Sequence, residues 1–294
     1  MRQSPFSMQA MRSITPMVLA AHIFCGLMLL QTPGLSEARE LMVKEDQRSI
    51  HVEVLGEGLP VVLIPSLGRG AQDFDDLKMR LVDAGYQVIL PQPRGIGQSS
   101  GLTVGLTLQD LAADVYAVSK AVTNSPVIVV GHAFGNRVAR TFASEYPQQT
   151  KGVILLAAGG STNIPKEIVK ALRDSFRTDL PEAEHLEAVR LAFFAEGNEP
   201  AAWRDGWYPE VAIYQEAATK ATPLQSWWAG GVAPMLVIQP LEDRVAPPAN
   251  ADKLLKAYPE RVKVQKLAYA GHALLPEQPQ QVADTIISWL RERF

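Results

Sequence analysis

At 294 residues, 47% of them hydrophobic and 20% charged, the chain has an ordinary globular composition and room for one large domain, with or without an insertion. A formal charge of -3 gives no electrostatic reason to expect a nucleic-acid partner. The single cysteine, Cys25, rules out an internal disulfide; a chain processed after residue 38 would also lack a thiol nucleophile or thiolate metal ligand.

The first forty residues differ in kind from the rest. Arg2 and Arg12 precede the apolar stretch MVLAAHIFCGLMLL, and Ser36 and Ala38 supply the small residues that signal peptidase favours. We read residues 1–38 as a cleaved secretory signal, with a periplasmic or secreted product and no stable membrane insertion after cleavage. Met8 and Met11 are alternative starts. An uncleaved anchor is the competing reading, but the apolar stretch is shorter than the roughly 20 residues that a spanning helix needs.

Beyond the leader, apolar runs bounded by turn residues alternate with helical patterns, as in a mainly parallel sheet covered by helices. Strands are predicted at 49–56, 61–64, 86–91, 127–130, 152–157, 235–240 and 262–267. Most are continuous β-branched runs, which suit strands buried on both faces. Helices are predicted at 72–84, 107–122, 135–146, 248–257 and 277–292, the last with Val282, Ile286, Trp289 and Leu290 as a core-facing stripe. The segment 162–231 offers no strand and carries Trp203, Trp207, Trp227 and Trp228. It is expected to be a helical cap between two late strands, with 39–161 and 232–294 forming the core domain.

Residues 131–135 read G-H-A-F-G between the run SPVIVV and the helical NRVARTFASEY. This strand, turn and helix unit resembles the nucleophile elbow of the α/β-hydrolase fold family, with Ala133 where the motif G-x-S-x-G has its serine. The resemblance extends over essentially the whole chain beyond the leader. It implies a catalytic acid at Asp243, in MLVIQPLEDRVAPP, and a catalytic histidine at His272, in LAYAGHALLPEQP. It also implies oxyanion donors at the backbone N–H groups of Leu67 and Phe134. Two departures stand out: Pro65-Ser66 occurs where the family commonly has His-Gly, and Gln92 replaces the acid of the D-x-R-G-x-G-x-S loop, whose Arg94, Gly95 and Gly97 read as structural. Glu242 is an alternative acid and Ser66 an alternative nucleophile. His132, His51 and His185 read as structural or surface residues.

Without a hydroxyl at position 133 no acyl-enzyme can form there. One expectation is an enzyme whose His272, oriented by Asp243, acts as a general base in water attack on a carbonyl, carbon–carbon cleavage, a lyase reaction or cofactor-free oxygenation. A second is a noncatalytic relative that binds a small apolar molecule, and a third is an engineered Ser-to-Ala variant of a serine esterase or lactonase. Trp203, Trp207 and Trp227 are candidates for the wall of a substrate pocket, although tryptophans in a small insertion equally serve as its core. No cofactor is implied, and no close His/Asp/Glu cluster has metal-ligand spacing.

Overall fold

A computed structural model describes residues 38–160 and 162–294, so the secretory signal read over 1–38 lies, except for its last residue, outside the described residues. The first elements are β1 (Arg39–Glu45) and β2 (Arg48–Leu55), which form an antiparallel hairpin. They are followed by β3 (Leu59–Ile64), α1 (Asp75–Asp83), β4 (Tyr86–Pro91), α2 (Leu108–Val122), β5 (Val127–His132), α3 (Phe134–Glu145) and β6 (Thr150–Leu156). Four helices then precede the next strand: α4 (Lys166–Asp174), α5 (Glu182–Phe193), α6 (Pro209–Ala221) and α7 (Leu224–Trp227). The chain ends with β7 (Met235–Pro240), α8 (Ala249–Ala257), β8 (Val262–Leu267), α9 (Leu274–Glu277) and α10 (Pro279–Arg293).

The strands form an eight-stranded sheet in the order β1-β2-β4-β3-β5-β6-β7-β8. The β1–β2 and β2–β4 pairs are antiparallel, and every pair from β4–β3 through β7–β8 is parallel. β5 and β7 are buried at every position, as expected for strands covered on both sides. Successive residues serve opposite faces. Val62 and Ile64 pack with Leu111 and Val115 of α2 and Val138 and Phe142 of α3, whereas Val61 and Leu63 pack with Leu77 and Leu81 of α1 and the predicted α10 stripe.

Strand β1 has no counterpart in the sequence reading. Charged Arg39, Glu40, Lys44 and Glu45 flank only three apolar residues, giving the blunted pattern of an edge strand rather than a core run. Elsewhere the predicted elements are shifted by a few residues. Strand β6, for example, ends at Leu156 because Ala157 turns to φ 53°. α2 starts in a capping box, in which Thr107 and Asp110 each accept from the other's backbone N–H.

The position of the site follows from strand order. From β3 the chain passes outward to β4, then returns across β3 to β5, so the direction of winding reverses between β3 and β5. In open α/β sheets the crevice beyond the carboxyl ends of such strands is where ligands bind. Here the loop after β3 and the tight turn after β5 face each other across that crevice, with α4–α7 inserted after β6.

Candidate active site

The turn between β5 and α3 is held in a rare conformation. Ala133 has φ 50° and ψ -107°, and its N–H donates to the carbonyl of Leu156 on the neighbouring strand at 3.0 Å. A non-glycine residue in this region stores strain of roughly 1–3 kcal/mol. The flanking glycines permit it: a Cβ on Gly131 would strike the backbone of Gly135, and one on Gly135 would strike the carbonyls of Ile64 and Pro65. Strand and helix therefore cross at backbone contact, with the residue 133 side chain projecting into a cavity.

Asp243 and His272 meet at the mouths of the loops after β7 and β8. Nδ1 of His272 lies 3.0 and 2.9 Å from the two carboxylate oxygens of Asp243, and both side chains are buried. A carboxylate only accepts here, so Nδ1 carries the proton and Nε2 is left as the basic atom. Asp243 Oδ1 also accepts from the N–H groups of Val245 at 3.0 Å and Ala246 at 2.6 Å, which fix the carboxylate from behind. His272 and Ala133 border the same cavity of about 280 Å³, near the lower end of the roughly 300–1,000 Å³ typical of small-molecule sites. Glu242 points elsewhere and accepts from the N–H of Glu196 at 3.4 Å.

Leu67 and Phe134 both line this cavity. Phe134 opens α3, so its N–H is among those that a helix leaves without an internal acceptor. The Leu67 loop is fastened from the insertion: the N–H of Gly68 donates to Gln215 of α6 at 2.8 Å, and the Gly68 carbonyl accepts from Tyr208 at 2.9 Å. Gly68 itself sits at φ 55°, and a Cβ there would press on Phe176 and Ala212. Ser66 is buried and borders the cavity, but among the described residues no hydrogen bond joins it to His272. Gln92, the departure in the loop after β4, accepts from the N–H of Ala71 at 2.8 Å. Arg94 in that loop grips Asp114 with two 2.7 Å bonds, which is a structural role.

Trp203 and Trp207 do line the cavity, and both also belong to the aromatic core of the insertion with Phe193. Trp227 does not. It packs beneath the guanidinium of Arg140, 4.5 Å from ring centroid to Cζ, in the core between the sheet and its helices. The expectation of a substrate contact at Trp227 is therefore corrected: α7 is a single turn that lays its tryptophan on α3.

His132 is fully buried one residue before the turn. Its Nε2 lies 2.8 Å from the carbonyl of His272 and must be the donor, which leaves Nδ1 as a bare lone pair without a partner. Burial first, then the nearby His272, pushes its pKa down to about 3. His51 pairs with Glu40 on the β-hairpin, and the His185 ring packs against Trp207.

Three site-building residues were not singled out from the sequence. Arg69 forms two 2.6 Å bonds to Asp73 and stacks over Trp203 and Trp207 at 4.4 and 4.6 Å, closing one end of the cavity. Glu277 accepts from the N–H groups of Ala195 and Gly271 and from Asn198, each at 2.7 Å, so it ties the His272 loop to the end of α5. Its carboxyl is pushed up mainly by burial. Arg137, one helical turn beyond Ala133, also lines the cavity. The i, i+4 spacing from residue 133 was the available signal for it. Among the described residues, no group of three or more His, Cys, Asp or Glu side chains could hold a metal ion, and no helix is long and apolar enough to cross a membrane.

The model of the alpha/beta hydrolase family matches residues 61–285. The chain is 24% identical over 270 residues to a non-heme chloroperoxidase of Streptomyces lividans, covering 80% of this chain and 92% of that one. It is 25% identical over 268 residues to a 2-hydroxy-6-oxo-6-phenylhexa-2,4-dienoate hydrolase of Comamonas testosteroni, covering 83% and 92%. An esterase from Exiguobacterium antarcticum superposes with a TM-score of 0.73 at 18% identity, covering 85% of this chain and 98% of the esterase. Fold, elbow geometry and family match agree, and the chain belongs to the alpha/beta hydrolase family.

Proposed function

We propose that the chain is an exported enzyme acting on a small carbonyl compound, with His272 as general base and no covalent intermediate. The observation that carries this reading is the buried Asp243–His272 pair bordering the same cavity as the strained turn at Ala133. Pure binding does not require a buried carboxylate hydrogen-bonded to a histidine Nδ1 with Nε2 left as a base.

In this scheme Asp243 holds the Nδ1–H tautomer, and Nε2 of His272 takes a proton from water as the water oxygen attacks the carbonyl carbon. The developing oxyanion accepts hydrogen bonds from the N–H groups of Phe134 and Leu67. His272 then returns the proton to the leaving group as the carbon–heteroatom bond breaks. Ala133 occupies the nucleophile position of the family and contributes only its methyl group, which leaves space for that water. The export part of the proposal rests on the sequence of residues 1–38.

The test is turnover by the purified chain on a panel of esters, lactones and carbon–carbon cleavage substrates, beside His272→Ala and Ala133→Ser variants. The scheme expects turnover that falls by about 10²–10⁴ in His272→Ala. Turnover indifferent to His272, or an inert natural chain in which Ala133→Ser alone hydrolyses esters, overturns it. The second outcome would favour a binding relative, a reading supported by the aromatic lining of Phe193, Trp203 and Trp207.

A further inference from the structure

Helix α3 carries two guanidinium groups on successive turns, Arg137 and Arg140, and neither has a carboxylate within 4 Å among the described residues. Buried charge is ordinarily paired, because an unpaired ion loses its hydration with nothing in return. Arg140 is fully buried and makes its short bonds to neutral groups, Asn136 Oδ1 and the carbonyl of Gly159, both at 2.7 Å, while Nη1 has no partner. Arg137 is half-buried at the cavity wall. Its Nε is shielded from solvent and unpartnered, and its one hydrogen bond is a long 3.5 Å contact to the Thr219 hydroxyl. Glu216, the carboxylate that also borders the cavity, pairs with Lys220 at 3.4 Å.

Arg140 lies outside the cavity lining, but within it Arg137 and Lys220 outnumber the one carboxylate beside them, Glu216, and leave that part of the cavity net positive. At the aromatic wall the Arg69 guanidinium lies over Trp203 and Trp207 but is neutralised by Asp73, and the reacting centre is bordered by Ala133 and His272. Ala133 immediately precedes α3 and Arg137 is the fourth residue in it, so the two lie about one helical turn apart along the axis. From this arrangement we infer that the cavity takes a carbonyl compound bearing a carboxylate, with the carboxylate bound by Arg137. This deepens the proposed function, naming its substrate class, and depends on it only for the carbonyl end of the ligand. Burial draws the Arg137 pKa down from the guanidinium range while Glu216 opposes it, and a bound carboxylate would relieve that cost.

The test compares 4-oxo-4-phenylbutanoate with butyrophenone, in which an uncharged methyl replaces the carboxylate, by calorimetry and tryptophan fluorescence. The natural chain is expected to bind the carboxylate at least tenfold tighter. Arg137→Met should bring the two Kd values within twofold of each other by weakening carboxylate binding, and an unchanged circular dichroism spectrum shows that the variant is folded. Arg137→Lys should retain part of the preference. Equal affinity for both probes in the natural chain, binding of neither, or a preference that survives in Arg137→Met overturns the inference. Turnover of neutral esters that depends on His272 but is accompanied by no charge preference removes the anion site alone. An Arg137-dependent preference without His272-dependent turnover removes the dyad reading and leaves the anion site standing.

Discussion

Acid should weaken this protein through His132. The side chain is fully buried, its Nε2–H is committed to the carbonyl of His272, and its Nδ1 faces no donor or acceptor. A proton on Nδ1 would therefore be a buried charge beside His272 and Arg69, and the folded-state pKa is held down to about 3 against an ordinary 6.5. Because the folded value is depressed, the unfolded chain takes up the proton first. The contribution is fully present above pH 6.5 and is lost progressively as the pH falls towards 3. One proton corresponds to about 1.4 kcal/mol per pH unit, so acidification from pH 6.5 to 4 removes roughly 3 kcal/mol through this one ring. The assay is urea unfolding at pH 7, 6, 5 and 4, comparing the natural chain with His132→Gln, which does not titrate. Whatever the offset at pH 7, the difference between the two should shift by about 3 kcal/mol in favour of the variant by pH 4. A difference that stays constant across that range would refute the assignment of His132 as a buried neutral ring.

Three further substitutions probe the supports of the site. Gly135→Ala should cost at or above the upper end of the roughly 1–3 kcal/mol of overpacking, because its Cβ meets fixed carbonyl oxygens, that of Pro65 at 2.6 Å. Gly159→Ala, whose nearest neighbour is Arg137 Nη2 at 3.7 Å, should leave the urea midpoint nearly unchanged. Glu277→Gln should destabilise by roughly 1–3 kcal/mol, since the amide cannot accept at both ends from Ala195, Asn198 and Gly271. Hydrogen exchange should locate that loss in residues 193–198 and 269–273. Uniform loss of protection would refute a local tether.

The parallel strands and their helices were legible because both periodicities are strong: continuous apolar runs for β3–β7 and an i, i+4 stripe for α10. The elbow and the Asp243–His272 pair were legible because the resemblance to the α/β-hydrolase fold family supplies their chain order and their positions just beyond strand ends. β1 escaped notice because an edge strand needs no core signal. Trp227 was misassigned because composition says that tryptophans cluster but not which way each faces. α7 turns Trp227 onto Arg140, whereas the turn at Pro200–Trp203 points its tryptophan inward. Arg69 pairs locally with Asp73, but its bond to the Asp205 carbonyl and the contacts of Arg137 with Thr219 and Glu277 with Ala195 lie 82 to 136 residues away in sequence, and nothing in the local strings marks those.

The bonds around Glu277 bear on how such proteins can be recombined. The helical insertion is not an interchangeable module on a standing catalytic platform. The end of α5 receives the Ala273 N–H at the Phe193 carbonyl, and a Cβ on Gly271 would collide with Phe193 and Ala195. A chimera that kept this α/β core but took a relative's insertion would inherit a histidine loop without its mooring. Its specificity could be redesigned only by carrying the 193–198 segment and the 271–277 segment together.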